Sequence, residues 1–143
     1  MLKFVFLTDA FYNDYSSCAE IEKKKDRPHA QVTITVGGNL FCIPFRSHIM
    51  HDYALFTDKD NRCGLDFSKT VVVTDPEKYI DKQRKPFLRP NEFAAIKEIS
   101  EYAVSRRLAF YISQYKKAKL QPEQQRNALL LRYSTLKYFE EYF

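Results

Sequence analysis

Residues 27–48 read RPHAQVTITVGGNLFCIPFRSH. Gln31, Thr33 and Thr35 alternate with Val32, Ile34 and Val36, the period of a half-buried strand. Gly37-Gly38 follows, and glycine takes positive φ without steric cost, so the pair predicts a tight hairpin turn. With Val36 opposite Asn39, counting outward brings the neighbourhood of His29 beside Arg46 and Ser47. Basic and reactive side chains thus collect at the outer end of one hairpin: Arg27 and His29 on the incoming strand, Arg46, Ser47 and His48 on the outgoing one.

Working outward, residues 2–7 are apolar and β-prone and predict a first strand. Thr8 or Asp9 can cap a short helix carrying Phe11, Tyr12 and Tyr15. Residues 16–27 read as a surface loop ending in the charge run EKKKDR. Beyond the hairpin, residues 53–57 predict a short strand, 58–64 a turn, and 65–74 a strand with Val71, Val72 and Val73 buried. Prolines 76, 86 and 90 mark an irregular connection over residues 76–90. The second half is helical. Phe93, Ile96, Ile99, Tyr102 and Ala103 recur at helical spacing, and Leu108, Tyr111, Ile112 and Tyr115 continue the stripe, either in the same helix or after a break near Ser105. Pro122 predicts the start of a last helix, with Leu129, Leu130, Tyr133 and Leu136 on its apolar face. The order is α+β: a compact antiparallel sheet or barrel backed by helices, in a single domain over residues 1–143.

Composition bounds the function. With 143 residues, 45% hydrophobic and 15% aromatic, the chain can bury a core and is not of a disordered type. No apolar run approaches the roughly 20 residues of a membrane span, and the start MLKFVFLTDAF turns acidic too early for a secretory signal. The three cysteines, 18, 42 and 63, are an odd number without CxxC spacing, which fits a reducing cytoplasm better than a disulfide framework or a zinc site. The net charge of +5 favours an anionic partner, although many solvated basic surfaces bind nothing.

The three histidines, 29, 48 and 51, all lie around the hairpin. No cluster of Asp, Glu or Cys completes a metal set with them, so no metal and no other cofactor is expected. Metal-independent RNA cleavage needs less. The ribose 2′-OH attacks its own phosphorus once a base takes its proton, an acid protonates the leaving 5′-oxygen, and cations stabilise the phosphorane. His29, Arg27, Arg46 and Ser47 supply the residue types for that reaction. Tyr12, Lys23, Lys24, Lys25, His48, His51 and Lys69 are candidate RNA contacts. Each also has a plain structural reading: a histidine at a strand end is commonly a surface or hydrogen-bonded residue, and tyrosines at helical spacing are commonly core.

The ordered segments KFVFLTDAFY, RPHAQVTI, FCIPFRSHI and GLDFSKTVVV resemble the toxin proteins of type III toxin–antitoxin systems, the ToxN/AbiQ family with its TenpN and CptN branches. The resemblance implies a highly twisted SH3-like barrel of the MazF/PemK kind with added, mostly C-terminal helices. It implies a metal-independent endoribonuclease that leaves a 2′,3′-cyclic phosphate. The implied partner is a small structured, pseudoknotted antitoxin RNA, which the toxin cuts from a repeat transcript and joins in a closed alternating assembly; cellular or phage mRNA is the implied substrate. By position, a family lysine after proline falls on His29 after Pro28, and a Thr-Ser pair falls on Arg46-Ser47 after Pro44-Phe45. The family's N-terminal tyrosine falls at Phe11 or Tyr12, and Tyr12 is the one with a hydroxyl. A non-catalytic RNA-binding module with the same basic face, and a protein-interaction scaffold using the helical half, are the rival classes.

Overall fold

The computed structural model describes residues 2–21 and 29–143. Strand β1 (Phe4–Val5) leads through Thr8 into helix α1 (Asp9–Asp14), and the Thr8 side chain accepts the Phe11 amide as its N-cap. The expected hairpin follows as β2 (Gln31–Val36) and β3 (Asn39–Arg46), in the register counted from the glycine turn: Val36 opposite Asn39, and Gln31 opposite Pro44. Gly37 and Gly38 stand at φ 58° and 80°, the positive pair that a two-residue turn between right-twisted strands requires.

Residues 65–74 do not form the single strand their composition predicts. After β4 (Ala54–Asp58) and β5 (Cys63–Asp66), the buried Asp66 carboxylate accepts the Ser68 amide at 3.0 Å and caps a 3-10 turn at Phe67–Lys69. The chain returns to the sheet only as β6 (Val71–Val73). Both β5 and β6 lie against β3, β5 at Phe45 and Arg46 and β6 at Leu40, Phe41 and Cys42. The turn therefore loops out between two short strands that share one neighbour.

The sheet order is β1-β2-β3-β5-β4, with β6 also on β3 and every pairing antiparallel. This corrects the expectation of an SH3-like, MazF/PemK-like barrel: the sheet is twisted but not closed, and β1 and β4 end it without pairing with each other. The physical reason is in the strand lengths. Long β3 recruits neighbours on both edges, whereas β1 is two residues long and offers too little ladder to wrap round and close. Gly64 lets β4 and β5 approach closely, since a Cβ there would lie 2.1 Å from the Leu55 carbonyl oxygen.

Helices α2 (Pro76–Tyr79) and α3 (Pro90–Ile96) bracket an irregular connection. The break in the helical half comes at residues 97–100, earlier than the spacing suggests, because Ser100 caps α4 (Glu101–Leu120) by accepting the Ala103 amide at 3.0 Å. Pro122 lies in a turn, and α5 begins later, at Gln125–Tyr133. Val104, Leu108, Tyr111, Ile112, Tyr115 and Ala118 form the buried stripe of α4, which packs on β2 and α5. Val32, Ile34, Phe41 and Ile43 are buried in the same core. Cys42, at the centre of β3, is fully buried, and burial pushes its thiol up to about 12. Among the described residues, no helix is long and apolar enough to cross a membrane.

Candidate functional site

The site is assembled where β3 ends. Arg46 is paired with Gly64 of β5 on one side. On the other side the β2–β3 register ends with Gln31 opposite Pro44, and just beyond it the Phe45 amide donates to the Ala30 carbonyl at 2.8 Å. His29 lies two residues before β2, half-buried with its Nε2 enclosed, and is not among the described residues that line the cleft at Arg46.

Arg46 is held from below. Its Nη1 donates to Asp66 Oδ2 at 2.7 Å, and Asp66 is 0% exposed. The other carboxylate oxygen accepts the Ser68 hydroxyl at 2.6 Å and the Ser68 amide at 3.0 Å, and lies 3.1 Å from His51 Nε2. Burial pushes the Asp66 carboxyl up, but the hydrogen bonds from His51, Ser68 and Arg46 outweigh it and hold it below the usual carboxylate range. A buried carboxylate with this set of donors is a fixed anionic anchor for the Arg46 guanidinium.

His51 belongs to this anchor. The Tyr53 amide donates to His51 Nδ1 at 3.0 Å, so the ring proton lies on Nε2, facing Asp66 and the Ser68 hydroxyl at 3.0 Å. Both ring nitrogens are engaged within the protein.

Above the anchor, Arg46 lines an open cleft of about 600 Å³ with Lys69, Arg132, Tyr133, Glu20 and Ile21. Lys69, on the 3-10 turn, donates to the Tyr133 carbonyl at 3.0 Å, tying the end of α5 to the site. The Glu20 carboxylate is bonded by the Tyr138 hydroxyl and by Lys137, 2.9 Å away, and these hold its pKa at about 2. Glu20 is thus matched by Lys137, as Arg46 is by Asp66, and Lys69 and Arg132 also line the cleft.

Ser47 and His48 are exposed but line a second cleft, of about 680 Å³, with Lys59, Cys63, Arg89 and Glu92. Strand alternation explains the split, since consecutive residues leave β3 on opposite faces. His48 stands at φ 56°, where the chain turns away from the strand. Tyr12 is 4% exposed and meets Phe11 edge-on at 5.6 Å, so its ring packs in the core and presents no open face for stacking. Arg27, Lys23, Lys24 and Lys25 lie outside the described residues. Among the described residues, no three His, Cys, Asp or Glu side chains are grouped so as to hold a metal ion.

Asp66, Ser68, Arg132 and Tyr133 are site residues that the sequence reading does not single out. An Asp two residues before a Ser is a known turn signal, and D-F-S could have marked the anchor. Tyr133 shares the helical stripe of Leu130 and is concealed by it. No protein-family model, no curated protein and no solved structure matches this chain.

Proposed function

We propose that this chain is a cytoplasmic, metal-independent endoribonuclease toxin of the type III kind, restrained by a small structured RNA that it cuts from a repeat transcript. The observation that carries the reading is the guanidinium of Arg46, pinned by Asp66 at the mouth of a cleft shared with Lys69 and Arg132. Arg46 offers phosphate a rigid planar donor set. Lys69 and Arg132 add charge along the strand of RNA, and Arg27 and Lys23 to Lys25 extend the same basic character in sequence. His29 moves the proton, as base at the 2′-OH or as acid at the leaving 5′-oxygen. The 2′-oxygen bonds to phosphorus, the P–O5′ bond breaks, and a 2′,3′-cyclic phosphate and a 5′-hydroxyl result. Ser47 and His48 face the other cleft and contact RNA beyond the scissile phosphate.

The test is incubation of purified protein with long RNA in EDTA. Discrete fragments ending in cyclic phosphate are expected, and His29→Ala should abolish them while the protein keeps its melting temperature. Intact RNA held by the wild-type protein would replace the enzyme with a non-catalytic RNA-binding module. One observation favours that second reading: the His51 imidazole is tied up in the anchor, and His48 faces the other cleft.

A further inference from the structure

The geometry points to Tyr133 as a stacking platform for an RNA base at the mouth of the Arg46 cleft, placing a single-stranded nucleotide next to the phosphate that Arg46 binds. The inference rests on the RNA-directed reading above and adds the base to it. Tyr133 closes α5, is 50% exposed and lines the cleft with Arg46, Lys69 and Arg132. Arg132 Cζ lies over the ring, 5.3 Å from its centre, a cation that backs one face and leaves stacking to the other.

What distinguishes this ring from other exposed aromatics is its mounting. Lys69 grips its carbonyl oxygen, and the next three residues, Ser134, Thr135 and Leu136, are fully buried. The Thr135 hydroxyl lies within hydrogen-bonding reach of the Ser68 and Thr70 carbonyls, on either side of Lys69, and the Tyr111 hydroxyl donates to Ser134 at 2.8 Å. The platform is thereby fixed to the same 3-10 turn that Asp66 caps beneath Arg46. A flat ring and a guanidinium set on one rigid support match the alternation of base and phosphate along a single strand. Stacking is tolerant of base identity, so the platform favours unpaired RNA without selecting a sequence.

The chain contains no tryptophan, so Tyr133→Trp places a sole indole reporter at the platform. The probe is a 2′-O-methyl single-stranded oligonucleotide, which lacks the attacking hydroxyl. Its addition should quench the indole emission of that variant, whereas inorganic polyphosphate, which has no bases, should not. In a separate titration, Tyr133→Ala should bind the oligonucleotide roughly tenfold more weakly than wild type, the order expected for one stacked base. Tyr133→Phe should bind within about twofold of wild type, because the π-face is kept. The dependence of affinity on salt should be the same for wild type and both variants, since no charge is removed. Wild-type affinity retained by Tyr133→Ala, or unquenched emission from an oligonucleotide-bound Tyr133→Trp protein, would overturn the platform and leave the ribonuclease reading standing. No oligonucleotide or RNA bound by the wild type would overturn both.

Discussion

Removing the Asp66 carboxylate would leave Arg46 and His51 without the acceptor they now share in a fully buried position. Arg46 and His51 are partly exposed and can be solvated once the carboxylate is gone, so Asp66→Ala should cost about 1–3 kcal/mol, read as a lower urea midpoint. The acid limb carries a further signature. Asp66 has a folded pKa below its unfolded value, so its contribution is complete above the ordinary carboxylate range and is lost as pH falls through the folded pKa. Asp66→Asn, which cannot ionise, should therefore be less stable than wild type at neutral pH and converge on it in strong acid, as read by thermal melts across pH. At this scale the sequence was legible only in part. Arg46 could be located because a period-2 pattern and a glycine turn define a register that runs to the end of β3. Asp66 could not, because its role depends on a carboxylate reaching across to β3 and to His51, partners far from it along the chain.

Among the elements, the hairpin is where local chemistry and tertiary structure agree, down to the Val36–Asn39 closing pair. The neighbouring run, GLDFSKTVVV, reads as one continuous strand by propensity, yet an aspartate cap divides it into β5, a turn and β6. Propensity sums over residues and does not register one side chain competing for one amide. Gly64→Ala tests the tight seam beside that turn. The added methyl would meet backbone of β4, which cannot swing aside, and the variant should lose about 3 kcal/mol or fail to accumulate as folded protein. The Ser100 cap is a milder case. Ser100→Ala should cost about 1 kcal/mol, measured by urea unfolding, without altering RNA affinity.

For the molecule as a whole, the +5 charge indicated an anionic partner but not where it would sit. The structure brings Arg46, Lys69 and Arg132 to one cleft from a strand, a turn and a helix, and the proposed RNA would sit there. If RNA occupies this cleft, affinity should fall steeply with salt, and Arg132→Gln should reduce the slope of log K against log salt by about 1, measured by titration at several ionic strengths. Sheet closure lay beyond the sequence reading for a comparable reason. A strand run predicts that strands pair, whereas closure depends on which short strand meets which edge, and here β3 draws β2 to one side and both β5 and β6 to the other. That crowding around β3 has a practical consequence. Cys42 is sealed between two ladders, with Thr33 opposite on β2 and Val71 opposite on β6. A maleimide should modify Cys18 and Cys63, both partly exposed, well before Cys42. Delayed capture of that one sulfur would then serve as an internal clock, timing how often the middle of the sheet comes apart.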